Sequence, residues 1–182
     1  GSSSDERFGY AVDLDGDTAI VGAYLNDTGS TNAGAAFVYT TSDNGTTWTF
    51  QDQLVANDAV VSDFAATGVA ISGNTAVINN YRDTAAGSNS GAVYVFTRSG
   101  STWTQQQKLV ADDASAGDYF GWSVDINGET IIVGAPEEEQ NGDRSGAAYV
   151  FTRSINTWTQ QQKLDPSDSG LYHEFGLSVS IS

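Results

Sequence analysis

Three carboxylates lie at alternate positions around a glycine in the segment DLDGDT, residues 13–18. Such spacing is typical of a calcium-binding loop, because Ca²⁺ prefers several hard oxygen ligands, and it is also typical of a tight β-turn. An EF-hand loop beginning at Asp13 requires Gly at its sixth position and Glu at its twelfth, where this sequence has Thr18 and Tyr24. An EF-hand is therefore excluded, and the choice lies between another kind of calcium loop and a turn.

Two later segments occupy the corresponding place and provide an internal comparison: AISGNT at 70–75 and DINGET at 125–130. All three segments have the same length and keep the glycine, whereas the number of carboxylates differs between them. A turn needs the glycine and tolerates other residues, but a calcium site needs the oxygen atoms. The comparison favours a two-residue hairpin turn. It also predicts that replacing Asp13 and Asp17 together by alanine leaves stability nearly unchanged in calcium.

Longer acidic segments offer a second place for calcium, and the best of them are DDASAGD at 112–118 and EEEQNGD at 137–143. Calcium tolerates irregular loops because its coordination is flexible. A solvated acidic rim that keeps a secreted protein soluble is the alternative, and it stays open. The candidate calcium ligands are Asp112, Asp113, Asp118, Glu137, Glu138, Glu139 and Asp143. A wider acidic band adds Asp58, Asp63, Asp83, Asp165, Asp168 and Glu174.

The charge of the chain limits its partners. Seven basic residues stand against 23 acidic ones, for a net charge of −16. Binding to nucleic acid or to an anionic membrane surface needs clustered Lys and Arg, so neither partner is expected. The sequence also lacks any apolar run long enough to insert into a membrane.

The content of chemically reactive residues argues against an enzyme. The chain has no cysteine and a single histidine, His173, which leaves little for nucleophilic catalysis or zinc binding. Paired carboxylates can hydrolyse glycosides, but the sequence singles out no acid with a raised pKa. Two Asn-X-Thr triplets, at Asn26 and Asn44, are candidate N-glycosylation sites.

An internal repeat organises the chain. Its openings are Phe8, Phe64, Phe120 and Phe175, which are 56, 56 and 55 residues apart. Each unit contains four runs in which apolar and polar residues alternate, separated by Gly-rich or polar turns, and helical periodicity is absent. Four short antiparallel strands repeated at such a period predict an all-β fold of β-propeller blades.

The repeated motifs resemble a known family. The segment FGWSVDINGETIIVGAP at 120–136 and its counterpart at 8–24 resemble the FG-GAP repeat, which builds propellers in integrin α chains and in many surface proteins. The segment GAAYVFTRSINTWTQQQKL at 146–164 is closer to the bacterial type of this repeat. The resemblance implies a propeller, and in the integrin type calcium lies in a longer, Asp-rich hairpin loop. The second unit departs from the motif, with Ala65 after Phe64 and with Asn-Asn-Tyr at 79–81 in place of Gly-Ala-Pro.

The repeat predicts three four-stranded blades and the first strand of a fourth, which is an incomplete ring. We expect either a fragment of a longer protein or a chain that completes its propeller with another chain. The expected divisions are a leader at 1–7, blades at 8–63, 64–119 and 120–174, and a first strand at 175–182.

Strand counting places the acidic segments on one face. In an up-and-down blade, the tight 1–2 and 3–4 hairpins lie at one end, and the 2–3 loops and the 4–1 linkers share the other. The acidic segments belong to this second end, called here the loop face. Long loops on a rigid scaffold are where binding sites usually form. We therefore expect a protein or glycan ligand on the loop face.

The leading interpretation is a non-enzymatic, extracellular or cell-surface adhesion or binding module, with structural calcium possible. Two alternatives stay open. One is a repeat unit of an extracellular filament or coat that assembles through open blade edges. The other is a blade segment of a larger secreted enzyme.

The repeated aromatic and amide residues have their own interpretations. The opening phenylalanines are expected to wedge between blades. Trp48, Trp103 and Trp158 recur at one position, which favours packing in the core or between blades over a sugar-stacking platform. Trp122 alone is not repeated, with Tyr10, Ala66 and Leu177 at its position. The Gln runs at 105–107 and 160–162 are expected to be surface residues without a structural role.

Overall fold

The structure is a computed structural model that describes residues 6–139, 144–167 and 173–182. These residues form strands and turns, with no helix among them and hence none that could cross a membrane. The first four strands are β1 Phe8–Asp15, β2 Thr18–Ala23, β3 Ala35–Thr40 and β4 Thr49–Leu54. The next four are β5 Val69–Ser72, β6 Thr75–Asn80, β7 Ala92–Ser99 and β8 Thr102–Leu109. The last four are β9 Ser123–Asn127, β10 Thr130–Ala135, β11 Ala147–Ser154 and β12 Thr157–Leu164.

Each group of four strands forms one antiparallel sheet in sequence order, called blade 1, blade 2 and blade 3. The prediction of all-β, four-stranded propeller blades is confirmed. No strand of one described blade pairs with a strand of another, and the three sheets do not close a ring through hydrogen bonds.

The 1–2 hairpins close through two-residue turns. Asp15 pairs with Thr18 in blade 1, and the two later hairpins close in the same way. The first turn residue is a glycine in every blade, with a φ of 56° at Gly16, because few other residues adopt this left-handed conformation cheaply. The segment DLDGDT is therefore a turn, as its sequence comparison favours.

The hydrophobic cores lie between blades rather than within them. We call the side of a blade that packs on the preceding blade its leading face, and the opposite side its trailing face. The trailing face of blade 1, with Ile20, Val38 and Leu54, packs on the leading face of blade 2, with Ile71 and Trp103. The second core repeats this arrangement between blade 2 and blade 3. Each blade therefore needs a neighbour to bury both of its faces.

The carboxylates beside the first turn also join two blades. Asp13 Oδ2 accepts a hydrogen bond from the N–H of Ile71 at 2.7 Å, and Asp15 Oδ2 accepts one from the N–H of Gly73 at 2.6 Å. Both donors belong to blade 2. The prediction that Asp13 is dispensable for stability therefore loses its physical basis, because Ile71 is only 4% exposed and its N–H needs an acceptor.

The glutamine runs join blades as well, so the prediction that they have no structural role is wrong. Gln106 Oε1 accepts a hydrogen bond from Trp158 Nε1 at 3.1 Å, and Gln107 Oε1 accepts one from the Trp158 backbone N–H at 2.9 Å. Gln105 and Gln160 accept hydrogen bonds from the backbone of the preceding 4–1 linkers. Each outer strand is thus tied to a neighbouring blade or linker.

The expected packing role of the repeated tryptophans is confirmed for two of the three. Trp103 is 6% exposed and Trp158 is 2% exposed, and both lie in the cores between blades. Trp48 of blade 1 is 38% exposed, because its leading face has no blade against it among the described residues.

The opening of the second repeat is shifted by one residue from the predicted alignment. Phe120 donates its backbone N–H to Ser90 O at 3.1 Å, and the equivalent donor in the second repeat is Ala65, to Ala33 O at 2.9 Å. Ala65 therefore takes the place of Phe120, and Phe64 matches Tyr119. The same shift makes Thr67, not Ala66, the counterpart of Trp122. Phe120 is fully buried between blades and confirms the wedge, whereas Phe64 does not occupy that position.

Close backbone contact explains why a glycine opposes this wedge. Gly91 has a φ of +86°, and a Cβ built on it would lie 1.9 Å from the carbonyl oxygen of Phe120. Gly146 and Phe175 form the same bridge at the next blade boundary. Residues 175–182 follow this bridge along blade 3, where Ile181 donates its N–H to Asp125 Oδ2 at 2.8 Å. This segment takes the position of the first strand of a further blade.

Candidate functional site

The loop face of blade 2 is built around one lysine. Lys108, in β8, lies 2.7 Å from Asp58 Oδ2 of the 4–1 linker and 2.7 Å from Asp83 Oδ2 of the 2–3 loop. Tyr94 donates its Oη–H to the same Asp83 oxygen at 2.8 Å. The ammonium group therefore pairs with two carboxylates and fixes a linker and a loop to the outer half of the blade.

Blade 3 repeats this arrangement with Lys163. Its Nζ lies 2.8 Å from Asp113 Oδ2, 2.9 Å from Glu138 Oε1 and 3.7 Å from Asp165 Oδ1. The ring of Tyr149 lies beneath the ammonium group, with its centroid 5.7 Å from Nζ. The recurrence in two blades makes this lysine cluster a structural feature of the repeat.

Blade 1 carries a version of the cluster without a lysine. Gln53 takes the place of the lysine and donates from Nε2 to Asn26 Oδ1 at 3.2 Å and to Thr28 Oγ1 at 3.0 Å. Asn26 takes the place of the loop carboxylate, and its Nδ2 donates to Glu6 Oε2 at 3.1 Å. The amide group of Gln53 therefore takes the place of the lysine in holding this loop.

Burial and the lysines set the pKa values of the linker carboxylates. Burial acts to raise the pKa of Asp58, but hydrogen bonds from Lys108 and Tyr94 and the charge of Lys108 outweigh it, so the pKa is lowered. The pKa of Asp113 is lowered by the matching balance with Lys163 and Tyr149. Both carboxylates are therefore held in the charged form that the lysines require.

The pKa values of two further linker acids are raised instead of lowered. Burial is the main cause that raises the pKa of Asp63 and of Asp118, although each accepts one backbone hydrogen bond that lowers it. The donors are Val60 N–H and Ser115 N–H, both at 2.7 Å, so each acid closes its own linker turn. These shifts could not be predicted from the sequence, because they arise from burial and from neighbouring carboxylates.

The predicted calcium ligands are only partly brought together. Asp113, Asp118, Glu138 and Glu139 line a small cavity of about 290 Å³. Asp112 is exposed, whereas Glu137 pairs with Arg144, whose Nε lies 2.6 Å from Glu137 Oε2. Asp143 and, in the wider band, Asp168 lie outside the described residues.

The fit of this cavity to calcium is limited by Lys163. Its ammonium group already contacts Asp113 and Glu138, and it supplies one of the two positive charges that Ca²⁺ would bring. Within 6–139, 144–167 and 173–182, no group of three or more His, Asp or Glu residues has the geometry to hold a metal ion. Calcium binding by these residues stays a prediction.

The two candidate glycosylation sites differ in access. Asn26 is 5% exposed, and its amide nitrogen already donates to Glu6. Asn44 is exposed in the 3–4 turn of blade 1, with a φ of 56°. Asn44 is therefore accessible to modification, whereas a glycan at Asn26 would displace a part-buried hydrogen bond.

An aromatic surface lies at the inner part of the loop face. We call it the aromatic patch, and it consists of Tyr10, Tyr24, Phe64, Tyr81, Tyr119 and Trp122. Tyr10 is 62% exposed and Trp122 is 43% exposed, with a cleft of about 250 Å³ between Tyr10, Tyr81 and Trp122. The ring centroids of Tyr81 and Trp122 are 5.0 Å apart.

Arg82 adds a positive charge to the aromatic patch. Its guanidinium carbon lies 4.7 Å above the ring centroid of Phe64 and 5.7 Å from that of Tyr81. The patch therefore combines apolar rings with a hydrogen-bond donor group. Sequence reasoning missed it, although a signal exists: Tyr24 and Tyr81 directly follow the second strands, where the third unit has Pro136.

The sheets, packed face to face through one repeated set of contacts, define this chain as part of a β-propeller. Three segments of it, residues 1–39, 48–96 and 103–151, match the FG-GAP repeat. Because these segments cover more than half of its length, the chain belongs to the FG-GAP repeat family. No curated protein matches the chain.

Proposed function

We propose that this chain is a non-catalytic binding module of an extracellular or cell-surface protein and that it serves adhesion. Its ligand, a protein or a glycan, contacts the aromatic patch on the loop face. The observation that carries the proposal is the exposure of Tyr10 and Trp122, which belong to different blades and line one cleft on that face.

Exposed aromatic clusters support recognition for a physical reason. Trp and Tyr bury a large apolar area on binding and lose little side-chain entropy, and they dominate the energetics of many interfaces. The patch lies between 2–3 loops and 4–1 linkers that the lysine clusters hold in place. Such rigid support lowers the entropic cost of binding a ligand.

The family supports the extracellular part of the proposal, because FG-GAP repeats are typically domains of extracellular type. The high negative charge suits a protein that must stay soluble outside the cell.

The state of the loop-face acids supports a non-catalytic role. The linker acids with lowered pKa values, Asp58 and Asp113, are paired with lysines. Those with raised values, Asp63 and Asp118, are buried and accept backbone hydrogen bonds from their own linkers. A general acid needs access to substrate, and Asp63 is only 7% exposed.

The proposal is tested by binding of the labelled chain to arrays of purified glycans and extracellular matrix proteins. Trp122→Ala should weaken binding to any positive spot by about tenfold or more, since a central aromatic anchor is typically worth 2 kcal/mol or more. Ile155→Ala is the control, because Ile155 is 92% exposed on the opposite, hairpin face. Equal binding by wild type and Trp122→Ala would contradict the proposal.

A further inference from the structure

The second repeat departs from both of its neighbours at one place on the loop face. Thr67 occupies the position that Tyr10 has in the first repeat and Trp122 in the third, and Asn79 takes the place of a glycine. Departures from a local pattern that gather in one place usually mark a functional site rather than a need of the fold. The cleft of about 250 Å³ in the aromatic patch lies there. We call it the aromatic slot, and it is lined by Tyr10, Thr67, Tyr81 and Trp122.

Asn79 separates two blades beside the aromatic slot. At the boundary between blades 1 and 2, a Cβ built on Gly22 would lie 2.2 Å from the carbonyl oxygen of Ala66. Asn79 holds the equivalent position between blades 2 and 3, where it is fully buried and donates from Nδ2 to the carbonyl oxygen of Gly121 at 2.7 Å. The same Nδ2 lies 3.0 Å from Thr67 Oγ1. An amide side chain therefore stands where backbone meets backbone at the other boundary, and it holds Thr67 in the slot.

The walls of the slot are exposed although packed blades carry them. Trp122 is 43% exposed, even though blade 2 covers the leading face of its blade. Tyr10 is 62% exposed, and its ring packs on Tyr24 with the centroids 4.7 Å apart. Pockets for whole small molecules usually measure about 300–1,000 Å³, which is larger than this slot. The slot therefore suits one ring of a longer ligand.

Polar groups surround these rings. Among the residues that the structure describes, none shares a hydrogen bond with the hydroxyl of Tyr10, Tyr81 or Tyr119. The guanidinium group of Arg82 lies over Phe64 and beside Tyr81, and within the described ranges it pairs with no carboxylate. Acidic residues outnumber basic ones by 23 to 7 in this chain. An arginine that still has no acidic partner is available to an anionic group of a ligand.

A sugar that carries a carboxylate matches this set of groups. The C–H face of a pyranose ring packs against aromatic rings, and its hydroxyls exchange hydrogen bonds with phenol hydroxyls. The planar guanidinium fork of Arg82 fits a carboxylate with two parallel hydrogen bonds. A proline ring also packs between aromatic rings, but it offers no hydrogen-bonding group to the phenols. A quaternary ammonium group, another ligand of aromatic clusters, is repelled by Arg82.

We propose that the aromatic slot binds one pyranose ring of a carboxylated glycan. The ring lies between Tyr10 and Trp122, and a carboxylate of the same glycan pairs with Arg82. This inference rests on the proposed function, because the slot is part of the aromatic patch, and it narrows the ligand from a protein or glycan to an acidic glycan. At physiological salt the negative charges elsewhere on the chain are screened beyond about 8 Å, so the nearby guanidinium group decides the local preference.

Binding to three sets of immobilised probes at physiological salt tests the proposal. The probes are hexasaccharides of uronic acids, their methyl esters, which keep the rings but lose the charge, and proline-rich peptides. We expect at least one uronic-acid hexasaccharide to bind about tenfold or more tightly than its ester. Arg82→Gln should bring this ratio close to one and leave binding of the ester unchanged. Tighter binding of the peptides or esters, or a ratio that Arg82→Gln does not change, would overturn the proposal.

A second variant separates this inference from the proposed function. Thr67→Trp fills the slot with the residue that the third repeat carries at this position, and it should weaken glycan binding about tenfold or more. Thr102→Trp is the matched control, since Thr102 is exposed at the hairpin end of β8. If Trp122→Ala removes binding and Thr67→Trp does not, the patch binds a ligand outside the slot. The inference then fails and the proposed function stands. If neither variant weakens binding, both fail.

Discussion

Replacing Asp13 with alanine should destabilise the protein, although the residue lies beside an exposed turn. Asp13 Oδ2 is the acceptor for the backbone N–H of Ile71 in the neighbouring blade, at 2.7 Å. Alanine removes the acceptor and leaves a donor in the core between blades, where water has little access because Ile71 is 4% exposed.

The magnitude follows from the cost of an unsatisfied buried donor, about 1–3 kcal/mol. For a chain of this length, that cost lowers the melting temperature by about 2–12 °C. Asp13→Asn should recover most of the loss, since its amide oxygen can accept the same hydrogen bond. Asp17→Ala is the control, because Asp17 is an exposed residue of the same turn.

Thermal unfolding followed by circular dichroism measures the effect, in calcium and in chelator. We expect the same loss for Asp13→Ala in both buffers, because the acceptor role does not involve a metal. A variant that melts with wild type would refute the assigned role of Asp13. A loss confined to the calcium buffer would instead identify Asp13 as a metal ligand.

Three further predictions concern the loop face. Lys108→Gln should lower the free energy of unfolding by about 1–3 kcal/mol, because it leaves Asp83 buried without its cation. Adding Asp83→Asn should restore much of this free energy, since amide groups hold the equivalent loop of blade 1. Urea titration measures both variants, and no recovery in the double variant would contradict the role of Lys108. Since burial raises the pKa of Asp63, this carboxyl contributes stability that is present below pH 3.8 and lost as pH rises through its folded pKa. Asp63→Asn should therefore gain stability over wild type near neutral pH and not below pH 3.8, and a pH-independent difference would contradict this. Added calcium should raise the melting temperature of Lys163→Gln more than that of wild type, because the carboxylates that Lys163 contacts then lack a cation. An equal rise in wild type would show that Lys163 does not block the metal.

The architecture of the chain follows from its sequence because it depends on local patterns. Alternating apolar residues predict the strands, and the glycines at 16, 73 and 128 predict the turns, since a left-handed φ is needed there. Because the unit is repeated, the same local prediction applies to all three blades.

The contacts between blades could not be predicted in the same way. Asp13 and Gln106 bond to groups more than 50 residues away, and the group that Asp13 binds is a backbone N–H, which no residue type marks. The one-residue shift at Phe64 has a related cause. An apolar side chain matched the pattern, but the backbone contact of Ala65 decides which residue forms the wedge.

The loop face shows what the sequence could predict and what it could not. The carboxylates were correctly located on the linkers and loops, yet the sequence alone did not pair them with Lys108 and Lys163, which lie on the outer strands. Their charge therefore suggested calcium, although a lysine lies among them. The aromatic patch was missed because its rings come from different blades.

Hydrogen–deuterium exchange of the chain, free and bound to the ligand that the arrays identify, tests the binding role most directly. We expect slower exchange on binding in the loop-face segments 56–64, 81–90 and 111–119, with no change in the 3–4 hairpins at 41–47 and 99–101. Protection confined to those hairpins would contradict the assignment of the loop face as the binding surface.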